Sequence, residues 1–532
     1  MKRVGFIVQI LVLSFLINQS TATAQMFGSK QDLKMLRVLQ LVSNQYVEEV
    51  DQEVIVESAI KNMLTELDPH SVYISADEVK EMNEPLQGNF EGIGIQFNIL
   101  RDTIMVVAPI PGGPSEKVGI MAGDRIIKID GEIVAGNGIK NKGVFTKLRG
   151  DKGTKVDVSI KRKSSDILLD FTITRDKIPI YSLDASYMLN YNTGYIKLNR
   201  FAKTTVTEFR KALADLKLQG LENLVLDLGG NGGGLLDQAV MLADEFLVED
   251  QLIVYTEGYH SYKREYSASE YGGFEKGKLI VLIDEGSASA SEILSGAVQD
   301  WDRGVIVGRR SFGKGLVQNQ FLLPDGAMIR LTVSRYHTPT DRMIQKPYEN
   351  GTEEYHKEII ERYENGELSD LSKTDFPDSL KYTTLVKGRT VFGGGGITPD
   401  VFVPIDTTQY SEYYGSLVRK GIVNQFVLDY VDANRDKLKT KYTDIDKFDD
   451  DFNFSEKEIK DLIKRGEKEG IEFNEEQFET SKMLLTKISK GLVARDIFGA
   501  GAYFQIVNTE DKAIQKALEV LDNWKEYLVS EK

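Results

Sequence analysis

The amino-acid sequence predicts a multidomain α/β protein, in which a small β module precedes an α/β core and helical segments lie at both ends. Apolar residues recur at helical spacing from Asp32 to about Met82, and the pattern is helical again after about residue 408. Short alternating strands and glycine turns fill residues 88–173. Beyond Arg175 strands and helices alternate, which is typical of a mostly parallel sheet with right-handed crossovers.

Composition narrows the classes of function. The chain has 532 residues, of which 41% are hydrophobic, enough for about three or four domains. Its formal charge of −15 argues against a nucleic-acid binder, which would be basic. The lack of cysteine excludes disulfides, thiolate nucleophiles and cysteine-ligated metals, and the four histidines form no ligand-spaced pair. We therefore expect no metal site.

The first 24 residues have the pattern of a secretory signal peptide. The basic pair Lys2-Arg3 precedes a short apolar run over residues 4–17, and Ala22-Thr23-Ala24 has the form of a cleavage site. An uncleaved anchor is the alternative, but the run is shorter than the ~20 apolar residues that a membrane span needs. No later stretch is apolar enough to span. We predict a mature chain from Gln25 that is exported, to a bacterial periplasm, as a soluble protein of the cell envelope.

An N-terminal helical region is expected over residues 25–83. Asp68-Pro69-His70-Ser71 interrupts its apolar stripe. Ser75 followed by Glu78 forms a capping-box pattern, which predicts that a further helix starts there.

Residues 84–175 are predicted to form the small β module. Its five short strands are expected near residues 93–99, 103–107, 125–129, 155–160 and 167–173. A turn at Asp130-Gly131 and one short helix over Ser115–Val118 lie between strands. Arg175–Pro179 has the character of a linker to the next domain.

The α/β core is predicted over residues 176–407. The expected elements are strands 195–198, 223–228, 279–283 and 305–307, and helices 205–218, 235–248 and 291–300. Two paired strands, 316–323 and 327–334, surround the turn Pro324-Asp325-Gly326, and a short strand returns at 401–403. We expect a polar, irregular excursion over 341–395 and an acidic helical region over 408–532.

Three loops of unusual composition follow strands of this core. They are the glycine-rich Asp227–Gly234, the serine-rich Asp284–Glu292, and Gly308–Gly315, which contains a lysine between glycines. In open α/β sheets, ligands collect outside the carboxyl ends of the strands. We therefore expect the three loops to form one site.

The third loop almost matches a nucleotide-binding loop, which makes an NTPase an alternative. It has the pattern G-x-x-x-x-G-K, but Gly315 stands where Mg²⁺ coordination needs Ser or Thr. The following residues have strand periodicity, so no helix N-terminus would face a phosphate. We interpret Lys314 instead as a candidate general base, because Phe312, Leu316 and Val317 could supply the apolar wall that lowers a lysine pKa.

A lysine base can activate a serine without histidine, and the chain offers several serines. Ser58-x-x-Lys61 and Ser311-x-x-Lys314 both fit the S-x-x-K pattern of another class of serine enzymes. We interpret both as coincidence, because the first lies within a surface-type helix and the second lies among glycines.

The cluster of Ser287, Ser289 and Ser291 is better placed, at a turn from strand to helix. There the amides that follow the serine point outward, with the helix dipole behind them, and can stabilise an oxyanion. The glycine loop that ends at Gly234 could supply a second amide. The alternative is that such a serine only caps the helix.

These motifs resemble a known family. Ser287-Ala-Ser-Ala-Ser-Glu-Ile293, followed by Phe312-Gly-Lys-Gly-x-Val-Gln318, is similar to the carboxyl-terminal processing peptidases, which are tail-specific Ser/Lys proteases. Leu67–Tyr73 resembles their N-terminal helical signature, and residues 88–97 with 114–126 resemble their PDZ domain. Gly395–Asp400 is similar to a motif near the end of their core. The resemblance implies a crotonase/Clp-like α/β peptidase core with an inserted-style N-terminal PDZ module.

The resemblance also implies roles for particular residues. Ser289 corresponds to the nucleophile and Lys314 to the base, which Gln318 orients. The Ala290 amide and Gly233 correspond to the oxyanion hole. No cofactor is implied.

The glycine loop departs from the family pattern Asp-Leu-Arg-x-Asn-Pro-Gly-Gly. This chain has Gly229 in place of the arginine and Gly232 in place of the proline. The departure leaves open which loop glycine supplies the second oxyanion amide. The resemblance covers 341–395 and the C-terminal region poorly, and we assign them no function.

A PDZ domain binds an extended peptide as an added strand and holds its terminal carboxylate on backbone amides. The loop Glu91-Gly92-Ile93-Gly94, which opens the strand from Ile95, is the expected carboxylate site, with Ile93 and Ile95 near the pocket. The alternative is a hairpin-rich linker domain. We therefore predict a serine endopeptidase that binds apolar C-terminal tails of protein substrates and cleaves those proteins.

Two hypotheses accompany this prediction. A catalytically inert scaffold that binds tails is the alternative, and the intact Ser289, Lys314 and Gln318 argue against it. The linker character of Arg175–Pro179 motivates a latent free enzyme, with serine and lysine too far apart until a tail binds. An adaptor or activator protein and an oligomer are left open.

Overall fold

The computed structural model describes residues 29–163, 165–374 and 377–527. The predicted signal peptide, residues 1–24, lies outside these ranges. The chain forms two compact units that divide between Tyr73 and Ile74, within the short strand β1 (Val72–Ile74). In the described ranges, no helix is both long and apolar enough to cross a membrane.

The first unit is helical, as the sequence predicts. It contains α1 (Lys30–Gln45) and α2 (Gln52–Thr65). After them the Asp68 carboxylate accepts the N–H groups of His70 and Ser71, at 2.8 and 2.9 Å. This local turn accounts for the predicted break in the helical pattern.

The second unit begins with α3 (Ala76–Gln87), which has the predicted capping box between Ser75 and Glu78. A β module follows. Its elements are β2 (Asn89–Gly92), β3 (Ile95–Ile99), β4 (Ile104–Pro109), α4 (Pro114–Lys117), β5 (Arg125–Ile129), β6 (Glu132–Ile133), α5 (Asn141–Leu148), β7 (Lys155–Lys161), β8 (Leu168–Thr174) and β9 (Asp176–Pro179). The main sheet has the order β3-β4-β5-β7-β8 with β6 beside β5, so β3 is an edge strand. The predicted strands are confirmed, whereas α5 has only Val144 and Leu148 buried and gives too short an apolar pattern to be predicted.

The linker predicted over Arg175–Pro179 is wrong. Asp176–Pro179 is β9, which pairs antiparallel with β2, so the module joins the rest of the unit by a two-stranded ribbon. Arg175 is buried and donates to the carbonyl oxygens of Leu148 and Lys155, at 3.1 and 3.0 Å. The ribbon was missed because its partner strand lies far away in the sequence.

The α/β core is built on a sheet of order β10-β11-β12-β15-β16-β21. Its elements are β10 (Leu183–Met188), β11 (Thr193–Leu198), α6 (Thr205–Leu218), β12 (Asn223–Asp227), α7 (Leu236–Asp244), β15 (Lys278–Ile283), α8 (Ala290–Asp300), β16 (Val305–Gly308) and β21 (Val401–Phe402). Strands β11, β12, β15, β16 and β21 pair in parallel, and β10 pairs antiparallel with β11. The predicted parallel alternation is confirmed, and the ends of β12, β15 and β16 meet at one edge.

A second sheet stands beside the first. It contains β13 (Leu252–Gly258), β14 (Ser261–Ser267), β17 (Leu316–Leu322) and β18 (Met328–His337). The predicted pairing of β17 with β18 is confirmed; it is antiparallel, with Gln318 opposite Thr332 and Gln320 opposite Arg330. The β13–β14 hairpin was not predicted, because β14 is polar and mostly exposed and lacks an apolar alternation.

The excursion over residues 341–395 is not irregular, and that prediction is wrong. It contains α9 (Thr352–Glu364) and a ribbon of β19 (Lys381–Thr383) and β20 (Thr390–Phe392). Helix α9 buries Tyr355 and Arg362. Because a phenol and a guanidinium fill its inner face, the helix has no aliphatic stripe by which to predict it.

The C-terminal region is helical, as predicted. Its helices are α10 (Glu412–Arg419), α11 (Ile422–Lys441), α12 (Ile445–Asp451), α13 (Glu456–Lys468), α14 (Glu475–Phe498), α15 (Ala500–Val507), α16 (Lys512–Asp522) and α17 (Trp524–Tyr527). Leu428 of α11 packs with Leu100, Met105 and Val107 of the β module. Helix α16 packs under the core sheet. The region therefore contacts both the β module and the core.

Candidate active site

The three loops at the strand ends line one cavity of about 440 Å³. The residues that the sequence analysis assigned to the chemistry all line it: Gly233, Ser289, Ala290, Lys314 and Gln318. They come from the segments after β12, β15 and β16 and from the start of β17. Parallel pairing of these strands is what brings the loops together.

Ser289 lies at the turn between β15 and α8, at the N-cap position of the helix. Its φ of 55° is in the left-handed region, which is rare for a residue with a side chain. Its own N–H donates to Glu292 Oε2 at 2.7 Å. The N–H of Ala290, the first helical residue, has no acceptor among the described residues. The turn thus places a half-exposed hydroxyl beside an unused amide at a helix N-terminus.

The other candidate serines have structural contacts. Ser287 Oγ donates to the Leu228 carbonyl and Ser291 Oγ to the Asn231 carbonyl, both at 2.8 Å. Ser311 Oγ donates to Glu292 Oε1 at 2.6 Å, and all three side chains are buried. Among these serines, Ser289 is the one that lines the cavity.

Gly233 lies directly against Ser289. A Cβ added to Gly233 would be 2.7 Å from the Ala288 carbonyl oxygen and 2.9 Å from Ala290 N, and its φ of +96° also favours glycine. Its N–H donates to the Oδ1 atom of buried Asn231 at 2.9 Å. The amide expected at the oxyanion hole therefore has an acceptor already, and the second oxyanion donor stays a prediction.

The loop position where the resembled family carries arginine is Gly229. A lysine from the neighbouring strand lies there instead. Lys197 Nζ donates to Asp227 Oδ2 at 2.9 Å and to the Gly229 carbonyl at 3.0 Å. The Lys197 ammonium group therefore bridges Asp227 and Gly229 at the start of the glycine loop.

Lys314 lies on a loop that leads into strand β17. Because no helix follows it, the loop lacks the helix N-terminus that a nucleotide-binding loop needs. Leu316 and Val317 line the cavity beside Lys314, as predicted. Phe312 does not line it and packs against Tyr355 and Lys346. Gln318 Nε2 donates to Thr332 Oγ1 at 3.3 Å.

Glu292 joins the nucleophile loop to the base loop. Its fully buried carboxylate accepts hydrogen bonds from the N–H groups of Ser289, Gly313 and Lys314, at 2.7–2.9 Å, and from the Ser311 hydroxyl. Burial raises the pKa of this carboxyl above its ordinary range, although the hydrogen bonds oppose the shift. Glu292 was not predicted to have a role, although a Glu three residues after an N-cap Ser is a signal that could have identified it.

Tyr336 forms a second link between the two loops. Its hydroxyl lies within hydrogen-bond distance of the carbonyl oxygens of Ser289, at 3.1 Å, and Lys314. The side chain is buried at the base of the cavity. Nothing in the sequence pattern of β18 pointed to this contact.

The segment 341–395 binds the backbone of the loop that carries Lys314. Arg362 of α9 donates to the carbonyl oxygens of Arg310 and Ser311, at 2.7 and 3.1 Å. Arg310 and Arg362 also both bind the Glu367 carboxylate. Burial raises the pKa of Glu367, but the hydrogen bonds and charges of the two arginines outweigh this effect and lower the pKa below its ordinary value. The segment 341–395 is thus part of the framework that places the lysine.

The predicted peptide-site residues lie in the β module, away from the residues that line the cavity. Glu91 and Gly92 are not in a loop, because they pair with Lys177 and Asp176 in the ribbon, and that part of the prediction is wrong. Ile93 and Gly94 form the short connection to β3, which begins at Ile95. Gly94 has a φ of +73°.

Comparison with known families adds the context. Residues 192–353 match the family described as Peptidase family S41, and residues 92–173 match the PDZ domain. Residues 15–78 match the Activating protease CtpB N-terminal domain. Residues 413–499 match a family of unknown function.

Similar proteins agree with these matches. The chain is 36% identical over 330 residues to the carboxy-terminal processing protease CtpB of Bacillus subtilis, across 62% of this chain and 68% of that protein. It is 38% identical over 321 residues to a carboxy-terminal-processing protease of Bartonella bacilliformis, across 59% and 73%. A solved photosystem II D1 C-terminal processing protease is 26% identical, with 72% and 95% covered and a TM-score of 0.35. The family matches and the identity to the Bacillus subtilis protein show that the chain belongs to the S41 peptidases, among the carboxy-terminal processing proteases, and is a serine-type endopeptidase with a PDZ domain.

Proposed function

We propose that this peptidase uses a Ser289–Lys314 dyad and selects protein substrates by their C-terminal tails, which bind to its PDZ domain. The observation that carries the proposal is that Ser289 and Lys314, from separate loops, line one cavity beside the unused Ala290 amide. The cavity walls at this point include the apolar side chains Ile293, Leu316 and Val317. Apolar walls favour the neutral amine that a lysine base needs.

In the proposed reaction Ser289 Oγ attacks the substrate carbonyl carbon while the neutral Lys314 amine takes the hydroxyl proton. The Ala290 N–H, at the positive end of α8, donates to the oxyanion that forms. Lys314 then gives its proton to the leaving amine, and water hydrolyses the acyl-enzyme. Gln318 holds the lysine side chain in position.

We also propose that the free enzyme is latent. The support is no longer the linker predicted over Arg175–Pro179, which is a paired strand, but the hydrogen bond of the Gly233 amide. Gly233 N–H donates to Asn231 Oδ1, so it can serve as the second oxyanion donor only after the glycine loop turns. Tail binding at the PDZ domain would favour that turn through the β2–β9 ribbon, which continues from α3. Leu86 and Gln87 of α3 line the cavity.

Tail binding is proposed at the edge strand β3. The N–H groups of Ile93 and Gly94 have no acceptor within the described part of the chain, which suits a terminal carboxylate. Helix α5 stands beside β3, where Phe145 meets Phe97 with ring centroids 5.6 Å apart. These aromatic and aliphatic side chains favour an apolar tail.

We further propose export to the periplasm after removal of residues 1–24. The support is the basic pair Lys2-Arg3, the apolar run over residues 4–17 and Ala22-Thr23-Ala24. Amino-terminal sequencing of the protein from the cell envelope tests this part, and an intact Met1 would contradict it.

The main test compares the mature chain with Ser289→Ala on one protein substrate that ends in either an apolar or a charged tail. Products are identified by mass spectrometry. We expect the wild type to cleave the apolar-tailed form, and Ser289→Ala to cleave neither. Ser267→Ala is the matched control, since Ser267 is exposed and outside the cavity, and it should retain full activity.

The other outcomes contradict the proposal in different ways. Equal cleavage by the wild type and Ser289→Ala points to another nucleophile. Equal cleavage of both tails refutes tail selection but keeps the dyad. If neither protein cleaves and both bind the apolar tail, the chain is an inert tail-binding scaffold.

A further inference from the structure

The cavity around Ser289 contains a second cation besides Lys314. Arg330 of β18 lines the cavity and is half-buried. None of the described residues that line the cavity is acidic. When Lys314 is neutral, as a base must be, Arg330 is the remaining charged side chain of that lining.

Arg330 has no partner in the described part of the chain. Its guanidinium makes no ion pair or hydrogen bond there, and burial lowers its pKa with no acid to oppose the shift. The buried arginines Arg310, Arg342 and Arg389 each have a carboxylate partner. A partly buried cation without a partner is costly, so its position in a substrate cleft indicates that a ligand supplies the missing anion. The planar guanidinium fits a carboxylate with two hydrogen bonds.

The register of β17 and β18 gives the separation of Arg330 from Gln318, the residue expected to orient Lys314. Gln318 lies opposite Thr332, and Gln320 lies opposite Arg330, two residues further along the pair. Two residues of a strand span about 7 Å. An extended substrate advances by the same rise, so a group within about three residues of the scissile bond comes within reach of Arg330.

Helix α3 also contributes to the lining of the cavity. Gln320 Nε2 donates to Asn83 Oδ1 of α3 at 3.1 Å, and Asn83 and Leu86 line the same cavity as Arg330. These amides are neutral, so they do not compensate the charge of the guanidinium. The lining also includes the apolar side chains of Leu236 and Ile293.

We propose that Arg330 binds a carboxylate of the substrate within about three residues of the scissile bond, and so determines where the chain is cut. The inference rests on the proposed function of Ser289. The carboxylate belongs either to an acidic side chain or to the free C-terminus of the substrate, since both present the same two oxygens.

The test maps every Ser289-dependent cleavage site in an unfolded protein, β-casein, by mass spectrometry. Wild type is compared with Arg330→Gln and Arg330→Glu, and with Arg335→Gln as the matched control. Arg335 is on the same strand but is exposed and outside the cavity. We expect carboxylates to be enriched within three residues of the sites for wild type and Arg335→Gln. The enrichment should vanish in Arg330→Gln and be replaced by Lys and Arg in Arg330→Glu.

Matched peptides then measure the effect. A dodecapeptide around a preferred site, with a free C-terminus, is compared with its Asp→Asn form and with its C-terminal amide. Wild type should have a kcat/KM about tenfold lower for the peptide that lacks the recognised carboxylate. A lower kcat/KM for the Asp→Asn form shows that Arg330 binds the side-chain carboxylate. A lower kcat/KM for the C-terminal amide shows that it binds the terminal carboxylate. Arg330→Gln should cleave all three at similar rates.

Failure of the inference differs from failure of the proposed function. Cleavage by Ser289→Ala overturns the proposed function. Ser289-dependent cleavage with the same carboxylate preference in wild type and Arg330→Gln overturns only the inference. If no peptide is cut, the affinity of Ser289→Ala for labelled peptides decides. Equal binding of the peptide, its Asp→Asn form and its C-terminal amide overturns the inference. Binding that is about tenfold tighter for the peptides with the recognised carboxylate supports the inference, provided that Arg330→Gln abolishes the difference.

Discussion

The cavity loops and the attachments of the PDZ domain are held by contacts of different kinds. Around the cavity, Glu292 and Glu367 are buried, and each binds groups from separate segments. At the PDZ domain, the ion pairs Arg101–Asp429 and Arg125–Asp432 reach the C-terminal helix α11 at 2.9 and 2.7 Å. The Arg101 side chain is 77% exposed, whereas the side chains of Arg310 and Glu367 are each only 10% exposed.

This difference separates a rigid part of the molecule, the cavity loops, from ion pairs whose loss costs little. Removing one member of a buried, hydrogen-bonded charge group costs about 3–5 kcal/mol, because the other member is left unpaired. A surface ion pair contributes at most about 1 kcal/mol. The loops that carry Ser289 and Lys314 are therefore firmly placed. The ion pairs to α11 add little to the attachment of the PDZ domain, which depends more on the β2–β9 ribbon and on the buried cluster around Leu428.

The largest effect is expected from Glu292→Gln, which attacks the rigid part. The backbone N–H groups of Ser289 and Lys314 both donate to the Glu292 carboxylate. A glutamine amide has one oxygen fewer and presents N–H groups of its own, so it cannot accept all of these hydrogen bonds. We expect kcat/KM to fall about 100-fold or more, because small misplacements of reacting groups have effects of this size. Peptide hydrolysis measures the loss, and circular dichroism checks the fold.

Glu285→Gln is the matched control. Glu285 is a carboxylate of the same loop, but it pairs with Arg309 at 2.6 Å and is partly exposed. Its variant should stay within about twofold of the wild type. A folded Glu292→Gln enzyme with wild-type activity would show that this carboxylate does not position the dyad.

A smaller effect is expected from Tyr336→Phe. The change removes one buried hydroxyl that bonds the carbonyl oxygens of Ser289 and Lys314. We expect kcat to fall about tenfold with KM nearly constant, and the free energy of unfolding to fall by about 1–2 kcal/mol. Steady-state kinetics and urea unfolding measure the two quantities.

Tyr255→Phe is the control for this variant. Tyr255 lies outside the cavity on β13, which pairs with β18, and its hydroxyl binds Asp341. If both tyrosine variants lose stability but neither loses kcat, Tyr336 has a structural role alone.

The smallest effect is expected from Asp432→Asn, which removes one of the partly exposed ion pairs between the PDZ domain and α11. It breaks the pair with Arg125, so the free energy of unfolding should fall by less than about 1 kcal/mol. Cleavage of a tailed substrate should change by no more than about threefold, and salt should reduce the difference from wild type. Asp436→Asn, an exposed aspartate of the same helix, is the control. A loss as large as that of Glu292→Gln would show that this pair holds the PDZ domain rigidly.

Much of the fold follows from local signals in the sequence. Helix Thr205–Leu218 and strand Arg125–Ile129 have the bounds that periodicity predicts, and the helix after Ser75 has the capping box that its residues indicate. The serine and lysine motifs also placed the candidate residues at strand ends, and these strands are parallel neighbours. Such features depend on residues close in sequence, so one sequence suffices to predict them.

The errors share a physical cause. β9 pairs with a strand far earlier in the chain, and α9 packs through a buried arginine, so neither has an apolar pattern of its own. The same limit applies to Glu91 and Gly92, whose strand depends on β9.

The sequence by itself determined the fold class, the order of the elements and the residue types available for catalysis. The tertiary structure decided which polar groups act together. It buried Glu292 between the loops of Ser289 and Lys314, and it placed Arg362 where its guanidinium donates to a backbone carbonyl of the Lys314 loop. It also left Arg330 facing the cavity without an acid. Burial and pairing depend on segments that are distant in sequence, and they determine whether a charged side chain supports the fold or faces a substrate.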